Sequence, residues 1–191
     1  MKRINNLYKN LTNINNIINI YEKQIRVNTK NKFKIEKYEN YLSVNFYKIY
    51  DELIKENVSF SKYFIFLIKE PKCRIIMSQT IKDKIINHLV AKYILIESFE
   101  KSFIDSNVAT RKNKGTLYGI KLIKKYINEL KKERKEIYYL KCDISKYFYN
   151  IDHSILKKIL RKKIKEKKTL NLLDQIIDST NYTYIKNDID E

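Results

Sequence analysis

Residues 137–156 place the strongest constraint on how this chain folds. The segment opens with four apolar or aromatic residues ending at Leu140, reaches Asp143, passes an aromatic pair at 147–148, and becomes helix-like near Asp152. An apolar run bounded by turn residues predicts a buried strand, and the periodic sequence after it predicts a helix. We therefore expect a strand, a tight turn and a helix in succession.

Asp143 is the chemically unusual residue of this segment, because it is expected at the end of a buried strand. Burying a carboxylate costs several kcal/mol unless a cation or hydrogen-bond donors compensate it. A hard cation such as Mg2+ suits an oxygen ligand, and phosphoryl transfer often requires one. Backbone N–H groups of a strand-to-helix turn explain the residue equally well, so both interpretations stay open at this point.

The rest of the chain carries apolar stripes at helical spacing and one strand-like region. Residues 63–69 and 74–77 are mostly apolar runs separated by the four residues 70–73, which include Pro71, and this predicts a hairpin with Lys72 and Arg74 near its tip. Taken alone, that tip is a basic turn. Spacings of three, four and seven residues predict helices at 4–25, 34–56, 80–100, 116–136, 152–164 and 169–179, with Thr80 and Asp152 as caps. The fold class predicted is α+β.

Charge and cysteine content limit the environment and the partners. The 40 Lys and Arg residues outnumber the 22 Asp and Glu residues, which gives a formal net charge of +18. This balance favours nucleic acid over anionic membrane as a partner, although an AT-rich codon bias accounts for part of the lysine content. Cys73 and Cys142 form no paired ligand motif, and no apolar run is long enough to span a bilayer. We therefore expect a soluble cytoplasmic protein.

Two stretches resemble bacterial reverse transcriptases of the group II intron, retron and diversity-generating retroelement type. The string CDISKYFYNIDH at 142–153 is similar to their first catalytic motif, and KEPKCRIIMSQTIKDKIINHLV at 69–90 resembles their fingers motif. The order of Ser, Ala, Arg and Gly-Thr between 101 and 116 resembles a further block of the same family. The resemblance covers roughly residues 60–180. It implies helix-rich fingers and the start of an incomplete right-hand polymerase palm.

The resemblance also implies roles for individual residues. Asp143 would bind catalytic metal through its carboxylate and Ile144 through its backbone carbonyl. The implied nucleotide-binding residues are Lys72, Arg74, Ser145, Lys146 and Phe148, the last as a steric gate against a 2′-hydroxyl. The implied template contacts are Arg111, Lys112 and Lys114, a cluster that taken alone is typical of a solvated loop. The implied cofactor is Mg2+ in a two-metal site, with an RNA template, a DNA or RNA primer and a deoxynucleoside triphosphate as partners.

On this interpretation the chain has four parts. Residues 1–58 are an N-terminal helical extension, 59–136 the fingers, 137–180 the first part of the palm, and 181–191 a polar tail or truncation point. The Tyr/Phe-x-Asp-Asp motif that supplies the opposing carboxylates of the family's two-metal site does not occur in the sequence. We therefore expect the N-terminal part of an RNA-directed DNA polymerase, inactive alone, whose remainder lies in the same chain or is separately encoded.

Three other interpretations remain at this point. The chain is a decayed remnant of such an enzyme, or it is a non-catalytic basic RNA- or DNA-binding protein that retains the fingers scaffold. The second of these predicts that nucleic-acid affinity does not depend on Asp143. A membrane-surface protein is disfavoured, because the positive charges are spread over many helices rather than one face.

Overall fold

The computed structural model describes residues 3–71, 73–133, 136–145 and 147–180, without the side chain of Tyr149. Helices and an antiparallel sheet are both present, which confirms the α+β class at this coarse level. The chain forms two compact units, Met1–Ser98 with Asp152–Glu191, and Phe99–Ile151. The two units are defined by which residues contact each other and not by function. The division into extension, fingers and palm therefore stays a prediction.

The described residues form eight α-helices and one hairpin. In chain order they are α1 (Ile14–Ile20), α2 (Lys32–Glu39), α3 (Leu42–Ile54), β1 (Phe64–Ile68), β2 (Arg74–Ser78), α4 (Ile81–Val90), α5 (Glu97–Phe99), α6 (Thr116–Glu133), α7 (His153–Lys163) and α8 (Lys167–Asp178). The π-helical turns Tyr21–Arg26 and Ala91–Ile96 extend α1 and α4, and 3-10 turns lie at Tyr8–Asn10, Glu100–Ser102 and Tyr147–Asn150.

Side-chain caps explain where several helices start. Asn13 Oδ1 accepts a hydrogen bond from the Asn15 N–H at 3.0 Å, so α1 begins ten residues later than the stripe from residue 4 predicted. The predicted helix 34–56 is divided into α2 and α3 by a break at Asn40 and Tyr41. The later predicted helices are confirmed with shifted ends, and Asp152 caps α7 by accepting from the Ile155 N–H at 3.0 Å.

The core of the first unit lies where α1, α3 and α4 pack together. Ile49 and Ile85 are completely buried there. The ring of Tyr21 packs against Tyr38 and Phe46, at centroid distances of 5.6 Å and 5.4 Å. Each such apolar side chain contributes about 1.5–3 kcal/mol by leaving water, so this core is the main source of stability in the unit.

Glu166 ties the N-terminal segment to the connection between α7 and α8. Its Oε2 accepts hydrogen bonds from the N–H groups of Leu7 and Tyr8, both at 2.9 Å, and from the Thr169 hydroxyl at 2.7 Å. The Ile4 N–H donates to Lys163 O at 2.8 Å next to this cluster. A single carboxylate therefore fixes the first residues of the chain against its last two described helices.

The predicted hairpin is confirmed. β1 and β2 pair antiparallel, with Phe64 opposite Ser78 and Ile68 opposite Arg74. Pro71 lies in the connection, where its missing N–H removes no ladder bond. The predicted cap of α4 is also present, because the Thr80 hydroxyl oxygen accepts a hydrogen bond from the Asp83 N–H at 3.3 Å.

The second unit consists of a loop, α6 and the irregular segment 136–151. Its longest helix, α6, carries an apolar stripe that remains partly exposed, from Leu117 through Ile123 to Leu130. No described residue of this unit is buried. Neither α6 nor any other helix in the described ranges is long and apolar enough to cross a membrane.

The strand predicted at the start of residues 137–156 is wrong. Residues 136–145 have no regular structure, and Tyr138, Tyr139 and Leu140 are 85%, 92% and 87% exposed. A strand needs a hydrogen-bonded neighbour, and the sheet in the described part of the chain contains β1 and β2 alone. Asp143 is accordingly exposed rather than at the end of a buried strand.

Candidate nucleotide and metal site

Asp143, the predicted metal ligand, lies in the exposed segment of the second unit. Within the described ranges no group donates a hydrogen bond to its carboxylate or forms an ion pair with it, so backbone N–H groups do not occupy it. Asp143 and the carbonyl of the adjacent Ile144 are oxygen donors of the kind a hard ion prefers. They fill only part of an octahedral shell, and the described residues contain no cluster of three His, Cys, Asp or Glu side chains that could hold a metal.

Phe148, the predicted steric gate, follows on a 3-10 turn. Its ring contacts that of Tyr147 edge to face, with centroids 5.3 Å apart, and its side chain is 83% exposed. The backbone before it is held by Asn150, whose Nδ2 donates to Ser145 O at 3.2 Å. Lys146, also predicted to bind the nucleotide, lies outside the described residues. The Asp143 carboxylate and the Phe148 ring thus stand on one short, exposed stretch of chain.

Arg74 is placed in the first unit, as the first residue of β2. It is exposed, and no group among the described residues binds its guanidinium. An unpaired guanidinium at the end of a hairpin strand is able to bind phosphate oxygens in a bidentate manner. Lys72, predicted to act with it, lies outside the described residues. The nucleotide-binding roles of both residues stay predictions.

Arg111, a predicted template contact, is engaged within the loop of the second unit. Its Nε donates to Glu100 Oε1 at 2.9 Å, and its Nη1 donates to the carbonyls of Ile104 and Asn107 at 2.9 Å and 3.0 Å. The guanidinium also lies 5.7 Å from the ring centroid of Phe103. Only 11% of the side chain is exposed. Binding a phosphate would require these bonds to break, so the structure gives Arg111 a role in ordering its own loop.

Lys114 and Lys112, the other predicted template contacts, differ from each other. Lys114 binds the Asp105 carboxylate, and it donates to Asp105 O at 2.9 Å. The hydrogen bond from Lys114, with a further one from the Tyr118 hydroxyl at 2.7 Å, holds the pKa of the Asp105 carboxyl below its usual range. Lys112 is exposed and has no partner within the described ranges. Among the described residues, Lys112 is therefore the member of this cluster without a partner, and its contact with a template stays a prediction.

The basic face of α7 is partly neutralised. Lys157 Nζ lies 2.6 Å from Asp178 Oδ1, and Arg161 binds the Asp174 carboxylate. Lys158, Lys162 and Lys163 on the same helix have no partner among the described residues. Three such lysines on one helix favour general attraction of polyanions rather than a shaped site.

Sequence reasoning did not predict a cleft of about 340 Å³ in the first unit. Its walls come from the π-helical turn after α1, from the residue before the α4 cap and from α4 itself. The lining residues are Gln24, Ile25, Asn28, Thr29, Gln79, Lys84, Asn87 and His88. The available signal was the spacing of Lys84 and His88, one helical turn apart on α4. The contributions from residues 24–29 and 79 depend on tertiary packing and leave no such signal.

Comparison with models of known protein families finds no match for this chain, and a search of curated proteins finds none either. The motif residues and their surroundings therefore carry the functional argument. Of these, Asp143, Phe148, Arg74 and Lys112 are exposed, whereas Arg111 and Lys114 are engaged in contacts within the protein.

Proposed function

We propose that this chain is the N-terminal part of an RNA-directed DNA polymerase and that Asp143 is a ligand of its catalytic Mg2+. The observation that carries the proposal is the exposed carboxylate of Asp143, which no other described residue binds, within the string CDISKYFYNIDH, which resembles the first catalytic motif of bacterial reverse transcriptases. A cation can bind an exposed carboxylate that has no partner in the described chain without breaking a hydrogen bond or an ion pair there.

Each remaining residue has a distinct part in the proposed site. Asp143 and the Ile144 carbonyl hold the ion, and Phe148 contacts the sugar of the incoming nucleotide. Arg74 belongs to the first unit, and its predicted binding of nucleotide phosphates, together with Lys72, is a separate proposal that rests on charge-assisted hydrogen bonds alone. When bound there, Mg2+ would lower the pKa of a primer hydroxyl and would neutralise charge on the transferred phosphoryl group.

The proposed site is completed by the remainder of the polymerase. Two-metal nucleotidyl transfer needs carboxylates opposite Asp143, and the Tyr/Phe-x-Asp-Asp motif that supplies them in the family does not occur in the sequence. The isolated chain is therefore expected to bind nucleic acid and a divalent cation weakly without extending a primer. A search of the same reading frame and of neighbouring genes for that motif tests this part of the proposal.

Metal binding and primer extension test the role of Asp143. Mn2+ binding to the 191-residue chain, followed by electron paramagnetic resonance, is expected to weaken in Asp143→Asn. It is expected to persist in Asp51→Asn, whose native carboxylate forms an exposed ion pair with Lys55. In the completed polymerase Asp143→Asn is expected to abolish Mg2+-dependent extension. Extension that persists in this variant excludes Asp143 as the catalytic ligand.

A basic nucleic-acid-binding protein without catalysis is the second candidate function. The net charge of +18 and the lack of a three-residue metal cluster among the described residues favour it. On this hypothesis RNA affinity is unchanged by Asp143→Ala, and log K falls with log salt by about 0.7 per neutralised phosphate of a single strand. Fluorescence anisotropy with labelled RNA, repeated with and without Mg2+, separates the two candidates, because only the polymerase hypothesis predicts a Mg2+-dependent effect of Asp143.

A further inference from the structure

The cleft beside α4 has the size and the polarity of a small-ligand site. Its volume of about 340 Å³ lies at the lower end of the range of such sites, about 300–1,000 Å³. Ile25 is the one apolar side chain among its lining residues. All of its walls belong to the first unit, so the cleft lies within a single compact body.

Hydrogen bonds hold the walls in place and leave several donors unused. Asn87 Nδ2 donates to Gln79 Oε1 at 3.0 Å, and Asn28 Nδ2 donates to the Gln24 carbonyl at 2.8 Å. In contrast, the side chains of Gln24, Lys84 and His88 have no partner among the described residues. A ligand with several acceptor oxygens would satisfy these donors without displacing any bond.

Lys84, which lines the cleft, and Lys34, which lies beside it, both carry positive formal charges. The Nζ of Lys34 lies 3.4 Å from the backbone oxygen of Gln79, and no carboxylate is among the lining residues in the described chain. Burial lowers the pKa of the Lys84 ammonium, and the charge of Lys34 lowers it further. A half-buried ammonium that faces a second cation is destabilised until an anion approaches it.

We propose that this cleft binds a phosphate group, held by Lys84 and Lys34 with Gln24 and His88 as further donors. Phosphate fits better than a planar carboxylate, because its tetrahedral oxygens accept bonds from donors that approach from different helices. The site does not involve Asp143 and stands whether or not the chain is part of a polymerase. The phosphate is either that of a free ion or small phosphorylated molecule, or a phosphodiester of a nucleic-acid strand.

Thermal unfolding of the full chain tests the proposal and identifies the source of the phosphate. Inorganic phosphate at 10 mM, compared with chloride at equal ionic strength, is expected to raise the Tm of the parent by about 3 °C if Kd is near 1 mM. Lys84→Gln is expected to lose this shift. Lys48→Gln, which removes an exposed lysine of α3 with no partner in the described residues, is expected to keep it.

A second measurement covers binding of a strand rather than a free ion. If phosphate produces no shift, Lys84→Gln is expected to weaken single-stranded RNA binding at least threefold more than Lys48→Gln does. In phosphate-free buffer the Tm of Lys84→Gln is expected to equal or exceed that of the parent, because the variant removes an uncompensated charge. This measurement shows that the variant is folded, so its responses to phosphate and RNA can be compared with those of the parent. Equal effects of Lys84→Gln and Lys48→Gln in both assays overturn the proposal.

Discussion

Different interactions stabilise each of the two units. All of the described buried apolar side chains lie in the first unit, whereas no described residue of the second unit is buried. The second unit instead relies on polar contacts, of which the Arg111 guanidinium with Glu100 and the Lys114 ammonium with Asp105 are the clearest. Each of these pairs has a carboxylate open to water, and ion pairs screened by solvent contribute about 0–1 kcal/mol each, which is less than a buried apolar side chain.

This difference indicates that the predicted metal ligand Asp143 and the predicted steric gate Phe148 lie in the less stable unit. Asp143 and Phe148 belong to the unit without a core, next to the exposed apolar residues Tyr138 to Leu140. Segments with few buried apolar contacts open locally at a low cost in free energy. The proposed metal ligand Asp143 therefore lies in a region of low local stability, whereas the proposed phosphate cleft lies in the unit that contains the buried core.

The largest expected effect comes from removing core volume in the first unit. Ile85→Ala is expected to lower the free energy of unfolding by about 3 kcal/mol, because it leaves a cavity at a completely buried position between helices. Leu117→Ala in α6, where the side chain is 77% exposed, is the matched control and is expected to cost under about 0.5 kcal/mol. Urea unfolding followed by circular dichroism measures both. Similar costs would show that α6 is buried in solution.

Removing the Glu166 carboxylate is expected to have the next largest effect. Glu166→Ala leaves the backbone N–H groups of Leu7 and Tyr8 without their acceptor, at a cost of about 2–3 kcal/mol. Glu129→Ala is the control, since that carboxylate forms only a 3.9 Å ion pair on an exposed helix face. Urea unfolding gives the energies, and hydrogen exchange at residues 4–8 shows whether the N-terminal segment is released. Unchanged exchange at residues 4–8 would contradict the role of the Glu166 carboxylate in holding the N-terminal segment.

Patterns that are local in the sequence predicted much of the first unit correctly. The hairpin followed from two apolar runs on either side of Pro71, and the starts of α4 and α7 followed from Thr80 and Asp152. Each depends on residues within a few positions of each other, so the sequence alone contains the information. The class and most helix positions could be predicted for the same reason.

Features that depend on distant residues could not be predicted. Glu166 bonds residues 7 and 8, and no spacing rule connects positions so far apart. The apolar run before Asp143 looks like a strand, yet the described residues provide no neighbour with which it pairs. Arg111 and Lys112 are equivalent as members of a basic cluster, and only the structure distinguishes the engaged side chain from the exposed one.

Replacing Arg111 is expected to affect the second unit alone. Arg111→Lys keeps the charge but loses the planar fork that bonds Glu100, Ile104 and Asn107, at a cost of about 1 kcal/mol to the loop. Amide exchange of residues 104–111 is expected to become about fivefold faster, while exchange in α1 and α4 stays the same. Lys112→Arg is the control with no expected change. Faster exchange in α4 would mean that the two units unfold as one.

The smallest expected effect is a change in the titration of Asp105. Its pKa in the folded protein lies below the unfolded value of 3.8, first because of the hydrogen bond from Lys114 and then because of that from Tyr118. The stabilisation is therefore present above pH 3.8 and is lost as the pH falls through the lower folded value. In Lys114→Gln the titration midpoint, followed by carbon-13 NMR of the carboxyl group, is expected to rise toward 3.8, and in Tyr118→Phe it is expected to rise less. An unchanged midpoint in Lys114→Gln would mean that this ion pair does not order the loop. The contacts of Arg111 would then be the main polar interactions that stabilise the described part of the second unit.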